Sequence, residues 1–129
     1  MTPRLLRAFR SAHYGAGGAS IRVGRWCAAM DRVLGARQGV ILGAWNPHAA
    51  RHPIGWNERV DRNLQGWLRR VAALPGSGFG PGWSEAHWLV VADPRRAIVL
   101  ARRFRQSAVI MLRRGQVARL RLLDAASTR

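Results

Sequence analysis

The sequence predicts an α/β fold, a single domain with a mixed sheet of about five strands, covering helices and a C-terminal hairpin. Three short apolar runs bounded by turn-forming residues are typical of strands buried on both faces. The segments between them repeat apolar residues at the helical period. The chain has 129 residues, 48% of them hydrophobic, which is the size and composition of one globular domain. The element order that follows is β-α-β-α-β-α-β-β.

The chain divides into a basic N-terminal helix or tail (residues 1–13), a single α/β domain (residues 14–123) and a C-terminal tail (residues 124–129). In the first of these, Arg4, Arg7 and Arg10 recur at every third position among apolar residues, which predicts a short amphipathic helix. The glycine-rich residues 15–18 predict a flexible connection to the domain.

The first half of the domain begins with a strand at residues 20–23. A helix over residues 26–34 follows, because its apolar residues share one face, and Gly35 ends it. The apolar run at residues 40–45 predicts a buried strand. It leads into a loop over residues 46–56 that is rich in proline and other turn formers.

A long helix over residues 60–71 keeps its apolar stripe for three turns and is ended by Leu74-Pro75. The segment GSGFGPG at residues 76–82 predicts a mobile loop that is suited to act as a flap. The apolar run that follows, at residues 86–92, predicts the second buried strand.

The last helix has a clear start signal, since Asp93 is a good N-cap and Pro94 a good first helical residue. A third buried strand is predicted at residues 107–112, and residues 113–116 read as a hairpin turn. In residues 117–123 arginines alternate with apolar side chains, which predicts a half-exposed edge strand.

The charge balance is strongly basic. Lysine and arginine total 22 against 6 acidic residues, a formal net charge of +16, and the sequence contains no lysine. Such a field attracts polyanions, and the arginine fork suits phosphate. The candidate nucleic-acid-binding residues are Arg59, Arg62, Arg69, Arg70, Arg102, Arg103, Arg113 and Arg114. The alternatives are a solvated basic surface with only nonspecific affinity, or an acidic protein partner, because no known nucleic-acid-binding signature is present.

Several classes of protein are disfavoured. Cys27 is the only cysteine, so an intramolecular disulfide is excluded. No metal-ligand spacing or cofactor motif is present, and no apolar run approaches the ~18 residues of a membrane span. The absence of lysine and of a secretory signal favours a bacterial protein of the cytoplasm. Enzyme activity and oligomeric state stay open.

Five polar residues stand close to the ends of predicted elements: Asn46, His48, Asn57, Glu85 and Gln106. Ligand sites of α/β sheets gather at strand ends, so these residues predict a site for a polar or anionic small ligand, with the 76–82 loop as its lid. Amides and one carboxylate suit recognition better than hydrolysis. If the domain is an enzyme, His48 is the obvious proton carrier near neutral pH.

Each of these residues also has a structural interpretation. Asn46 and Gln106 could brace loops, Asn57 could satisfy the start of the long helix, and His48 could simply be solvated. The proline after Asn46 predicts an extended conformation for that residue. Glu85, one of few acids in a basic protein, is expected to pair with an arginine, which would lower its pKa.

Five short motifs occur in order along the chain: IRVG at residues 21–24, AWNP at 44–47, a helix-opening Asn57, WSE at 83–85 and FRQSA at 104–108. With these motifs the chain resembles a bacterial family of small domains of unknown function that share IR(V/I)G, AWNP, WxE and FxQxA. The resemblance runs from about residue 14 to residue 123 and implies a shared fold and site, but no reaction. Gly43 and Ala49 stand where the family usually has hydroxyl side chains, so a role for those hydroxyls is absent.

Overall fold

The computed structural model describes residues 1–123; the predicted tail at residues 124–129 lies outside them. The described chain is a single mixed α/β domain. Its helices are α1 (Pro3–Ser11), α2 (Ala28–Leu34), α3 (Ile54–Trp67) and α4 (Pro94–Arg103), with a short 3-10 turn at Pro47–Ala49. Its strands are β1 (His13–Ala16), β2 (Ala19–Ile21), β3 (Gln38–Leu42), β4 (Ala73–Gly80), β5 (Trp83–Val90), β6 (Ala108–Arg113) and β7 (Arg119–Leu122).

One sheet contains all seven strands, in the order β2-β1-β4-β5-β3-β6-β7, and every pair of neighbours is antiparallel. The three apolar runs predicted as buried strands are β3, β5 and β6, and they lie side by side. A bridge between Val23 and Ala118 joins the two edges, supported by a 2.8 Å hydrogen bond from the Gly24 N–H to the Ala118 carbonyl. The sheet is therefore curled, with an inner and an outer face.

Both faces of the central strands are buried, because successive side chains of a strand point to opposite sides. Ile41, Leu89 and Ile110 belong to the inner core, which α2 covers with Met30 and Leu34. The outer core contains Leu42, Val90, Val109 and, from α3 and α4, Leu64 and Ile98. This two-sided burial is the reason why these strands are apolar along their whole length.

Local signals for helix ends and turns are confirmed. The Asp93 carboxylate accepts a 3.0 Å hydrogen bond from the Arg95 N–H, with Pro94 at the first helical position. Gly35 ends α2 with a φ of 64°. The β6–β7 hairpin turns through Gly115, whose φ is 76°. These features depend on a few neighbouring residues, which is why sequence alone identifies them.

Two strands, β1 and β4, are additional to the prediction, so the sheet has seven strands and not about five. The predicted flap at residues 76–82 forms the second half of β4 and its turn into β5, and Gly15 lies in β1. A Cβ atom at Gly76 would overlap the Gly15 carbonyl oxygen, and one at Gly78 would lie 3.6 Å from the Tyr14 ring. Glycine here allows two strands to approach closely and does not indicate mobility.

The boundaries of the long helix also differ from the prediction. Helix α3 begins at Ile54 and ends at Trp67, and Leu74 and Pro75 belong to β4. The mixed sheet that alternating helices and strands suggested is antiparallel throughout its named strands. Adjacent antiparallel pairs need no crossover helix, so the helices cover the sheet without setting its strand direction.

Candidate functional site

A cavity of about 250 Å³ lies at one end of the inner face, between α1 and the neighbouring ends of β3, β5 and β6. Leu5 and Phe9 of α1 and Ile41 and Ile110 of the sheet contribute apolar walls. The polar and aromatic side chains that line it are Tyr14, Trp45, Asn46, Trp83, Glu85, His87, Gln106 and Ser107. Three of the five predicted ligand-binding residues therefore lie at one cavity.

Asn46 is the centre of a hydrogen-bond network beside this cavity. Its backbone N–H donates to Asn57 Oδ1 at 3.0 Å, and its own Oδ1 accepts from Asn57 Nδ2 at 3.0 Å and from the His52 N–H at 2.9 Å. Its Nδ2 donates to Glu85 Oε2 at 3.3 Å. Every polar group of the Asn46 side chain is therefore engaged, and the network joins α3, β5 and the loop after β3.

The backbone of Asn46 corrects the expectation of an extended residue, since its φ of 49° and ψ of 58° are left-handed. Asparagine tolerates this conformation better than most residues. His48 and Ala49 also have positive φ, at 57° and 60°. Such residues persist only where the surrounding structure holds them, and here the Asn46 network does so.

Asn57 does not open or cap α3. The helix starts at Ile54, and the side chain of Asn57, which is 2% exposed, turns towards the loop. Besides its two bonds with Asn46, it donates from Nδ2 to the His52 carbonyl at 3.2 Å. Asn57 does not line the cavity, but it holds the residues that do.

The Glu85 carboxylate is half-buried at the cavity and pairs with no arginine. Over residues 1–123 the sole ion pair joins Arg95 and Asp93. Burial raises the pKa of Glu85, and the hydrogen bond from Asn46 offsets part of this increase. The expected arginine partner and lowered pKa are therefore wrong, because the arginines of this protein lie elsewhere.

Of the remaining two predicted site residues, Gln106 lies at the cavity and His48 lies away from it. Gln106 lines the cavity, and its Nε2 donates to the carbonyls of Trp45 at 3.2 Å and Phe104 at 3.3 Å, so it braces the segment after β3. The His48 side chain is exposed and does not line the cavity; its backbone N–H donates to the Arg105 carbonyl at 2.8 Å. The network and the cavity thus bring together Asn46, Asn57, Glu85 and Gln106, without His48.

Sequence reasoning missed Tyr14 and His87, two buried ionisable residues of the cavity. His87 Nε2 lies 2.8 Å from the Gly15 carbonyl and donates to it, and burial lowers the pKa of His87. The Tyr14 hydroxyl donates to the Phe9 carbonyl at 2.8 Å, while burial and then the Glu85 charge raise the pKa of Tyr14. One sequence pattern could have identified His87: strand alternation places Glu85, His87 and Leu89 on the same face of β5.

Two donors of the cavity residues have no partner. Trp45 Nε1 and Ser107 Oγ are buried, and neither forms a hydrogen bond within the described part of the chain. Leaving a buried donor unpaired costs about 1–3 kcal/mol, so such groups require an explanation. Both residues were part of the motifs noted in the sequence, but neither was predicted to belong to the site.

The eight candidate nucleic-acid-binding arginines are all exposed. Arg103 stacks on Trp67, with its guanidinium carbon 4.3 Å from the ring centroid, which joins the ends of α3 and α4 on the outer side of the sheet. Arg114 donates to the carbonyls of Asp31 at 3.4 Å and Gly35 at 3.2 Å, at the end of α2 on the inner side. The eight side chains therefore do not form one patch.

Neither metal nor membrane features are found where the structure is described. Residues 1–123 contain no group of three His, Cys, Asp or Glu side chains placed to hold a metal ion. None of the helices in this range combines the length and apolar character needed to cross a bilayer.

Comparison with known proteins identifies one family. A family model described as "Protein of unknown function (DUF3293)" matches residues 42–109, more than half of the chain. The match confirms the resemblance to a family of unknown function, over a shorter range than the motifs suggested, and it includes Asn46, Asn57, Glu85 and Gln106. No curated protein and no solved structure matches the chain.

Proposed function

Because the chain belongs to the DUF3293 family, whose description names no activity, we propose from the cavity itself that the domain binds a small polar ligand between α1 and the sheet. One observation carries this proposal. Within residues 1–123, the half-buried Glu85 carboxylate at the cavity has no cationic partner. Two buried donors of residues at the same cavity, Trp45 Nε1 and Ser107 Oγ, have no acceptor. Soluble domains usually satisfy such groups internally, so unsatisfied groups at one cavity favour a ligand.

The residues divide into two roles. Glu85 is the proposed polar contact, and the buried Trp45 Nε1 and Ser107 Oγ beside the cavity would reach the ligand after side-chain rotation. Asn46, Asn57 and Gln106 position the segment that carries Trp45, because their amides hydrogen-bond within the protein. His48 has no part in the proposed site.

A polar ligand is favoured over an anionic one. Within residues 1–123 no arginine lines the cavity, in spite of a formal charge of +16 for the whole chain. A carboxylate or phosphate placed there would meet the Glu85 charge without a compensating cation, which is unfavourable in a partly desolvated site.

Helix α1, and not the 76–82 segment, is the proposed moving wall. It has no fully buried residue, and the hydrogen bond from Tyr14 to the Phe9 carbonyl fastens its apolar face over the cavity. An element with so little buried surface opens at low free-energy cost. Ligand entry then requires displacement of α1 and no change in the sheet.

The test uses three probes with one ring and different head groups: benzylamine, benzyl alcohol and benzoate. Each is titrated to about 10 mM, which is sufficient for fragment affinities in the mM range. The readout is the indole N–H resonance of Trp45, assigned through Trp45→Phe. At least one probe is expected to shift this resonance. If none does, the cavity is not a binding site and the proposal is wrong.

Polyanion binding is the second candidate. All eight predicted arginines are exposed, and the half-exposed Trp67 under Arg103 offers an aromatic face of the kind on which unpaired bases stack. The arginines belong to separate surfaces, which favours nonspecific attraction over a dedicated groove. The salt dependence of binding, described in the Discussion, separates these alternatives.

A further inference from the structure

We propose that the ligand of this cavity carries a cationic nitrogen, as in a primary amine or a guanidine, on a small apolar body. This inference rests on the proposed function, since it names the chemical class of ligand for the same cavity. It follows from the Glu85 carboxylate of the site, the charges around it and the nature of the walls.

Among the described residues that line the cavity, the one carboxylate is that of Glu85. Its Oε2 accepts one hydrogen bond, from Asn46 Nδ2 at 3.3 Å, and no described side chain donates to Oε1. A cationic donor would form a charge-assisted hydrogen bond with this oxygen, about twice as strong as a neutral one. The partly buried position of the carboxylate reduces solvent screening of that bond.

Within residues 1–123, no cationic side chain pairs with this carboxylate. The other ionisable residues that line the cavity are Tyr14 and His87, and both already donate to backbone carbonyls, of Phe9 and Gly15. Burial lowers the pKa of His87, which favours its neutral form. In a chain with 22 arginines, this carboxylate forms no ion pair within residues 1–123, so it is available to a cation from outside.

The remaining walls indicate an apolar body. Leu5 and Phe9 of α1 face Ile41 and Ile110 of the sheet across the cavity, which suits a short alkyl chain or one ring. Gly78 also lines the cavity, where a Cβ atom would be in ordinary contact with the Tyr14 ring and His87 Nδ1 at 3.6 Å. Trp45 Nε1 and Ser107 Oγ, both without an acceptor, would further favour a ligand that also carries an acceptor oxygen.

The experiment compares affinities of the same three probes for the full chain at pH 7, again from the Trp45 resonance. Benzylamine is expected to bind about tenfold more tightly than benzyl alcohol, the difference between a charged and a neutral hydrogen bond. Benzoate should bind most weakly. Glu85→Gln should bring the affinities of benzylamine and benzyl alcohol to about the same value, because its amide offers both probes only a neutral acceptor.

Glu58→Gln is the matched control, because it removes the same charge from an exposed position of α3 away from the cavity. This variant should keep the tenfold preference. Equal or tighter binding of benzyl alcohol or benzoate, or an unchanged preference in Glu85→Gln, would refute a cationic ligand and leave the binding site standing. If Glu85→Gln does not fold, the ranking of probes by the unmodified chain decides the question. If no probe shifts Trp45, the proposed function itself fails.

Discussion

Replacement of Asn57 by alanine is expected to destabilise the protein by about 2–4 kcal/mol. The side chain is 2% exposed and makes three hydrogen bonds, two with Asn46 at 3.0 Å and one with the His52 carbonyl at 3.2 Å. Each bond contributes about 0.5–1.5 kcal/mol, and the loss of one partner leaves the buried groups opposite unsatisfied. The left-handed backbone of Asn46 would also lose the contacts that hold it.

Urea denaturation measures this loss. With a slope of about 2 kcal/mol per M, in the middle of the range for small domains, the midpoint should fall by about 1–2 M with the slope unchanged. Asn57→Asp keeps an acceptor for the Asn46 N–H but replaces two donors by a buried carboxylate opposite two carbonyl oxygens, so it should lose at least as much as Asn57→Ala.

Asn63→Ala is the control for helix propensity and general effects of amide removal, because Asn63 lies exposed on the same helix. It should change the stability by no more than about 0.5 kcal/mol in either direction. If Asn57→Ala also loses less than about 0.5 kcal/mol, the network does not hold the loop, and the role given to Asn57 is wrong.

Other perturbations test the core, the strand pairing, the carboxylate and the charge. Leu64→Ala should cost about 2–5 kcal/mol in urea denaturation, since Leu64 is 0% exposed, and a loss under about 0.5 kcal/mol would mean that α3 is not packed on the sheet. Gly76→Ala should abolish the β1–β4 pairing, seen as loss of amide-exchange protection in β1, because its Cβ would overlap the Gly15 carbonyl; retained protection would contradict this. Because burial raises the pKa of Glu85, the ionised side chain is less favourable in the folded than in the unfolded protein. Glu85→Gln should therefore be more stable than Glu58→Gln at pH 7. This difference should disappear below about pH 4, as Glu85 of the wild type becomes protonated in the folded and the unfolded state. A constant difference across this pH range would rule out the burial effect. DNA binding should show no sequence preference. If six or more phosphates are engaged, the affinity should fall about 10³-fold or more between about 50 and 200 mM salt. Selective sub-micromolar binding near 150 mM would instead rank nucleic-acid recognition first.

The sequence predicts part of the grouping of residues at the candidate site, while their role in ligand binding stays a prediction. Strand ends and unusual polar residues led to Asn46, Glu85 and Gln106, and all three line one cavity. Their detailed roles were not accessible, because the hydrogen bonds that define them join residues as far apart as Asn46 and Glu85. The expectation of an arginine beside Glu85 came from the abundance of arginine in the sequence alone, whereas no arginine of residues 1–123 lines the cavity.

The sequence by itself determined the features that depend on neighbouring residues. Apolar runs at β3, β5 and β6 identify strands buried on both faces, and Asp93-Pro94 and Gly35 mark helix ends through their own side chains and backbone angles. The reason is that the spacing of apolar residues along a strand and the capping of a helix depend on residues that are close in the sequence.

Tertiary structure alone decided the features that depend on distant partners. Residues 76–82 resemble a flexible loop, yet residues 76–79 pair with both β1 and β5, because the glycine at position 76 makes room for the Gly15 carbonyl from far along the chain. The proline after Asn46 favours an extended residue locally, but the hydrogen bonds with Asn57 and His52 favour the left-handed form. In both places long-range packing and hydrogen bonding outweigh a local backbone preference of about 1–2 kcal/mol. No local pattern in the sequence indicates these long-range contacts.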